Sequence, residues 1–261
     1  MKEERCRQIR EAIDDNGEIT LLELQHMFPG CSTMTLRRDL IALEDEGTIK
    51  RTRGGAIALR RMAETEGLYS QRAAENMNGK MEIARTCVHL LEHNTALYLD
   101  SGTTVMCLAK QLPKGYRSVI TSGVNTALEL IKHTSFSVTL LGGQLDGNTL
   151  GLSGQVAEMV VDTFNIETAI MSTSGFHLEN GFSNTSHSEN ELKQAIIRKA
   201  NRVILLMDSS KMGRIMPLTF ATLSDIDVLV SDCSPTEELM ALCEETGVEF
   251  IRAGMPIAKK A

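Results

Sequence analysis

The sequence predicts an α/β protein: an N-terminal winged helix-turn-helix followed by a larger doubly wound, mainly parallel α/β domain. Three patterns carry that expectation. A capped amphipathic helix and a basic hairpin occupy Ser32 to Ala56, short apolar strands alternate with helices beyond residue 96, and small polar residues gather where those strands end. Boundaries are expected at 1–58 for the head, 59–79 for a polar linker and 80–261 for the second domain.

Residues 3–15 set Cys6, Ile9 and Ile13 on one helical stripe, and Asn16-Gly17 stops it. Glu18-Ile19 reads as a brief extended piece. Thr20 caps a short second helix, LLELQHMF, which Pro29-Gly30 breaks. Ser32 then caps a third helix in which Leu36, Leu40 and Leu43 recur at i, i+4 and i+7 and face a core. Met34, Thr35 and Arg38 point away from those leucines and Arg37 flanks them, so with Thr33 they are the candidate DNA contacts of this helix. Arginine donates to phosphates and reaches guanine O6 and N7 bidentately, which suits a groove-reading surface. Gly47 ends the helix, and TIKRT forms a short strand carrying Lys50 and Arg51. Arg53 and Gly54-Gly55 then turn the chain back into AIAL, which completes a wing. An ordinary surface helix followed by a charged hairpin is the alternative; helix and basic hairpin together favour DNA.

Composition is that of a globular protein with a sizeable core, at 42% hydrophobic and 23% charged residues in 261. No apolar run approaches the ~20 residues a membrane span requires. The N-terminus, MKEERCRQIREAIDD, is amphipathic and charged, unlike a signal or transit peptide, so a cytoplasmic protein is expected. Six scattered cysteines without a CxxC pair are expected to be reduced and buried rather than bridged or metal-bound. The net charge of −7 hides an asymmetry: residues 32–61 hold seven Lys/Arg against four Asp/Glu. A locally basic face on an acidic protein is compatible with specific DNA binding and weakens non-specific sticking.

In the second domain a helix from about Lys80 to Glu92 comes first, with Ile83, Cys87, Leu90 and Leu91 on one face. Strands ALYL, RSVIT, FSVTLL, IETAIM, RVILLM, DVLVSD and VEFI follow, with helices VMCLAKQL, VNTALELI, a segment from Ser188 to Ala200 and TEELMALCEET between them. Such runs, buried on both faces, belong to a parallel sheet, whose ligands collect at the carboxyl ends of the strands. There lie Asp100, Ser101, Gly102, Thr103 and Thr104, then Ser122, Gly143, and further along Ser183, Glu189, Glu191, Lys193 and Lys211. Glycine admits backbone close to a ligand, hydroxyls and helix-start amides donate to phosphate, and lysine supplies a cation. The same DSGTT also suits a helix-capping turn with no ligand, and Glu189 with Lys193 suits a solvated i, i+4 pair. No GxSxG, P-loop, HExxH or GxGxxG motif is present, so no catalytic residue, metal or cofactor is expected.

Read together, TLRRDLIALEDEGTIKRTRGGA, DSGTT, LLGG, the GFS…E…LK segment and DSSKMG resemble the DeoR-type bacterial transcriptional regulators over almost the full length. The resemblance implies a second domain similar to sugar-phosphate isomerases that binds a phosphorylated sugar or related metabolite, with phosphate contacts at Ser101, Gly102, Thr103 and Thr104 and sugar or phosphate contacts at Glu191, Lys193 and Lys211. It also implies a homo-oligomer, dimer or tetramer, on a double-stranded operator, most simply as a repressor of carbohydrate catabolism. Arg53 stands where that family has histidine before Gly-Gly, Thr121-Ser122-Gly123 replaces Thr-Asn-Ser, and Ser183 replaces threonine, so the sugar is left open. The alternative from another class is an isomerase using Glu191 or Asp208 as base beside Lys211.

Overall fold

A computed structural model describes residues 2–16, 18–46, 49–52, 54–58, 69–91, 96–113, 117–132 and 136–255. The chain divides into two compact units, Met1–Leu68 and Tyr69–Ala261.

The first unit runs α1 (Lys2–Asn16), β1 (Glu18–Thr20), α2 (Leu21–Met27), α3 (Thr33–Asp45), β2 (Ile49–Arg51) and β3 (Gly55–Ala58). The strands pair antiparallel in the order β1-β3-β2. Ile9 and Ile13 from α1, Leu24 from α2, Leu36, Leu40 and Leu43 from α3, and Ile49 from β2 are all buried in one cluster. Thr20 caps α2 through a reciprocal bond with Glu23, and Ser32 Oγ accepts the Thr35 amide at 3.2 Å to start α3. A part-buried ion pair, Arg5 Nε to the buried Asp39 Oδ2 at 2.6 Å, fixes α1 to the inner face of α3. Gly55 is required where β3 meets β1, because a Cβ there would lie 1.9 Å from the Ile19 carbonyl oxygen. Gly47, the expected helix stop, and Arg53 lie outside the described residues.

In the second unit, residues 69–74 are helical, and α4 (Met77–Val88), β4 (Ala96–Leu99), α5 (Thr103–Ala109), β5 (Arg117–Thr121), α6 (Val124–Leu130) and β6 (Phe136–Leu140) come next. They are followed by a hairpin, β7 (Gln144–Asp146) and β8 (Gly151–Ser153), and by α7 (Gln155–Val161). Next come β9 (Ile166–Ser172), β10 (Gly175–His177), β11 (Gly181–Asn184), α8 (His187–Lys199) and β12 (Ala200–Met207). The last elements are β13 (Leu218–Ala221), β14 (Val228–Ser231), α9 (Glu237–Thr246) and β15 (Glu249–Arg252). A seven-stranded sheet has the order β15-β14-β12-β9-β4-β5-β6, and every described pairing in it is parallel. Alternation along the strands fills two cores. Tyr98, Met171, Val203 and Leu205 enter one, with Leu192 and Ile196 of α8; Leu97, Leu99, Ile170, Ile204 and Leu206 enter the other, with Ile83 and Cys87 of α4. The doubly wound architecture expected from the sequence is therefore present.

Three features depart from that expectation. The polar stretch taken as linker up to residue 79 packs into the second unit from Tyr69 onward: Tyr69 is buried, and Lys80, fully buried, donates to the carbonyls of Arg72 and Glu75. Residues 59–68 lie outside the described residues. The β7–β8 hairpin was not foreseen. Nor was the small antiparallel sheet β10-β11-β13, whose partners Phe182 and Ala221 are far apart in sequence.

Candidate functional site

On the first unit, α3 presents Thr33, Met34, Arg37 and Arg38 to solvent, with Thr35 half-buried beside the Ser32 cap. The leucine stripe dictates this outward face, and the Arg5–Asp39 pair holds the residue next to Arg38 inward. Neither Arg37 nor Arg38 forms an ion pair among the described residues. Arg51 is different. Its Nε lies 2.6 Å from Glu44 Oε2, and its amide donates to Glu44 Oε1 at 3.1 Å. Glu44 therefore already neutralises part of the Arg51 guanidinium that a phosphate would contact. Lys50 sits on β2, the strand that carries the wing.

On the second unit part of the strand-end set meets at a small cavity, which Gly102, Thr103, Thr104, Gly143, Glu191 and Lys211 do not line. Asp100, Ser101, Ser122, Asp146, Thr149, Gly151, Leu152, Ser153, Glu189, Leu192 and Lys193 line it. Its volume is about 10 Å³, the space of about one water molecule. The hairpin roofs it: Leu152 N donates to Ser122 O at 2.8 Å, and Val124 N to Leu150 O at 3.0 Å. Tyr98 Oη, from the floor, donates to Ser122 Oγ at 2.9 Å. Glycine is what lets these pieces meet, since a Cβ on Gly151 would stand 2.7 Å from Ser101 Oγ, and one on Gly102 would stand 2.1 Å from Ser172 Oγ. Gly102 starts α5 with no side-chain cap, leaving the amides of Thr103 and Thr104 without an internal acceptor of that kind.

Beneath the cavity is a buried charge cluster. Lys193 Nζ is ion-paired with Asp100 Oδ2, lies 3.4 Å from Glu189 Oε1, and donates to the Ser172 carbonyl at 2.9 Å. Asp100 also accepts from Ser172 Oγ at 2.6 Å, Ser172 N at 3.0 Å and Ser101 N at 2.9 Å. The Phe220 ring lies 5.0 Å from the ammonium. Burial disfavours charge on Asp100, but the Lys193 ammonium and these donors outweigh it and hold the carboxyl below its usual value. Burial likewise disfavours the Lys193 ammonium, yet Asp100 and Glu189 raise its pKa above the ordinary lysine value. Burial dominates at Glu189 and raises its pKa despite Lys193.

The remaining candidate residues are placed as follows by their partners. Glu191, two residues beyond Glu189, is turned off the inner face of α8; it is half-exposed, with its carboxylate 3.6 Å from His187. Glu189 takes the cavity position instead, because i, i+4 spacing aligns it with Lys193. Asp100 and Lys193 line the cavity but spend their polar atoms largely on each other. Lys211 is at the same end of the sheet but outside the cavity lining, and its Nζ lies 2.9 Å from Glu75 Oε2. Ser183 accepts the Met216 amide and is fully buried in the small sheet. Gly143, at φ +120°, sits against the Ser153 carbonyl and shapes the hairpin, not the lining. The lining residues Asp146, Thr149 and Ser153 were missed, although Asp146-Gly147 is a turn signal that marks such a hairpin.

Asp100 gives a pH prediction. Its carboxyl is depressed in the fold, so its contribution to stability is complete above the free carboxylate value of about 3.9 and is lost as pH falls through the lower folded value. Urea denaturation of wild type and Asp100→Asn across acid pH should show a shallower acid loss in the variant. Equal slopes would contradict the pairing.

The DeoR-like helix-turn-helix domain matches residues 5–61, and the DeoR C terminal sensor domain matches residues 75–233. Among curated proteins the chain is 33% identical over 246 residues to the HTH-type transcriptional regulator GolR of Listeria innocua, covering 94% of this chain and 96% of that one. It is 32% identical to the regulator GlpR of Haloferax volcanii (95% and 96% covered) and 30% identical to the repressor GlcR of Bacillus subtilis (96% and 96%). Among solved structures, a probable sor operon regulator from Shigella flexneri aligns over 64% of this chain and 89% of that one, with TM-score 0.43 and 14% identity. Ribose 5-phosphate isomerase A of Methanocaldococcus jannaschii aligns over 53% and 55%, with TM-score 0.38 and 12% identity. Both are loose likenesses. A winged head joined to a sensor domain defines a DNA-binding transcriptional regulator, not an enzyme of sugar-phosphate isomerisation. The chain belongs to the DeoR family.

Proposed function

We propose that this chain is a cytoplasmic, homo-oligomeric repressor of a carbohydrate catabolism operon, released or engaged by a phosphorylated sugar bound at the rim of the parallel sheet. The observation that carries this reading is the joining, in one chain, of an outward Arg37/Arg38 surface and a strand-end cavity set with hydroxyls and buried charge. Thr33, Met34, Thr35, Arg37 and Arg38 would read the major groove, with Lys50, Arg51 and Arg53 of the wing on the phosphates. A two-fold oligomer would then read a palindromic or repeated operator. Relatives named as repressors, GlcR and the lactose phosphotransferase system repressor of Streptococcus mutans, support the sign of regulation.

At the sheet rim, the backbone of Ser101 to Thr104 and the two threonine hydroxyls would take the phosphate, while Ser122, Glu189 and Lys193 would face the sugar hydroxyls. A cavity of about 10 Å³ cannot hold a sugar, so binding requires the 144–153 hairpin to lift. The isomerase alternative is not favoured by the relatives, which are named as transcriptional regulators, and of its two candidate bases Glu191 is turned outward. Thr103→Val is the direct test. It should weaken binding of the active sugar phosphate by about tenfold, the loss of one charge-assisted bond, and leave operator affinity unchanged in a gel shift. Unchanged sugar-phosphate affinity by calorimetry would remove Thr103 from the site.

A further inference from the structure

The residues that directly follow the first unit in the chain are fastened across the rim of the second. Arg72 Nη2 donates to the carbonyl of Asn148, in the turn of the roofing hairpin. Three residues on, Glu75 spans Lys211 at 2.9 Å and Arg214 at 3.2 Å. Asn76, in the left-handed region at φ 47°, donates to Asp232 Oδ2 at 2.8 Å and Ser209 Oγ at 3.2 Å. From below, buried Lys80 holds the carbonyls of both Arg72 and Glu75. Residues 72–76 therefore form one stiff piece with one end on the roof and the other on the loop after β12.

We propose that residues 72–76 are a strap that couples opening of the cavity to the segment leading to the DNA-binding head; this rests on the reading of that cavity as the effector site. The cavity holds about one water molecule. Any larger ligand must lift residues 146–153, and lifting them carries the Asn148 carbonyl away from Arg72. The ligand-bound arrangement thus loses a contact that the closed arrangement has, which is the differential interaction any coupling between two sites requires. Reciprocity follows: loosening the strap makes the roof easier to lift. The sequence carries no local sign of this, because Arg72 and Asn148 are 76 positions apart.

Hydrogen exchange on the full-length protein tests it, with wild type, Arg72→Ala and Glu75→Gln compared first without ligand. The roof has two reporter amides, Leu150 bonded to Asp146 O and Leu152 bonded to Ser122 O; the strap has Glu75, bonded to Gln71 O. Arg72→Ala is expected to speed exchange about tenfold in both segments, the loss of a hydrogen bond from a charged donor. Acceleration confined to 69–76, with 146–153 unchanged, would overturn the strap. If Arg72→Ala fails to fold, Glu75→Gln, which frees the other end, must move both segments by itself. A panel of pentose and hexose phosphates is then added to wild type. Loss of protection in both segments supports the strap. If a sugar phosphate opens 146–153 while 69–76 keeps its protection, the strap falls and the effector reading stands. If none binds although Arg72→Ala loosens the roof, the effector reading falls and the mechanical link stands.

Discussion

Lys193→Met should destabilise the second unit by about 3–5 kcal/mol, the cost of leaving a buried charge without its partner. The variant keeps much of the side chain's length, so lost packing contributes little. What it removes is the ammonium that Asp100, Glu189 and the Ser172 carbonyl share. Asp100 then has only Ser101 and Ser172 as donors, in a site with almost no solvent access. Urea denaturation at neutral pH followed by near-ultraviolet dichroism measures the loss. Asp100→Asn in the same chain should recover part of it, since replacing both charges is far milder than orphaning one. A Lys193→Met protein within about 1 kcal/mol of wild type would mean that solvent reaches the cluster more freely than its burial indicates.

Arg38→Ala should weaken operator binding by ten- to a hundredfold, corresponding to about 1–3 kcal/mol for one bidentate base contact, and should relax sequence preference at one operator position. The expectation follows from the helix: with Leu36, Leu40 and Leu43 committed to the core, Arg38 is directed to solvent and, among the described residues, pairs with no carboxylate. Arg51→Ala should cost less, because the Glu44 carboxylate already offsets part of the Arg51 charge. Sugar-phosphate affinity should be unchanged in Arg38→Ala. Equal loss of both activities would point to a folding defect, and a loss that is the same on operator and on unrelated DNA would assign Arg38 to phosphate only.

How much of this was legible in the sequence varied with how local the determining pattern is. The head was read well because its cues are short-range: Ser32 caps its own helix, and the leucine stripe repeats within thirteen residues. Parallel strands such as RVILLM announce themselves through uninterrupted burial. The β7–β8 hairpin has strands of three residues, too short for a period, and only Asp146-Gly147 hints at it. The antiparallel sheet β10-β11-β13 depends on pairing between Phe182 and Ala221, which no window of sequence contains. At the cavity, the spacing of Glu189 and Lys193 was visible, but it suits a solvated helix face equally well; burial decides between the two, and burial is a tertiary property. Lys211 illustrates the converse. Its position after a strand was correctly placed at the sheet rim, while its partner Glu75 comes from a polar stretch that reads as linker.

On the proposed reading, α3 and its wing hold an operator, and a phosphorylated sugar at the sheet rim adjusts that affinity. Fluorescence anisotropy of the intact protein on labelled DNA from its own promoter region, at several salt concentrations and with a panel of sugar phosphates, tests it most directly. The expected result is a sequence-selective, salt-sensitive complex whose affinity one sugar phosphate changes by about 5- to 150-fold, the usual span of coupling between two sites. Sequence-selective binding that no sugar phosphate alters, or binding that does not discriminate the promoter from unrelated DNA, would contradict it.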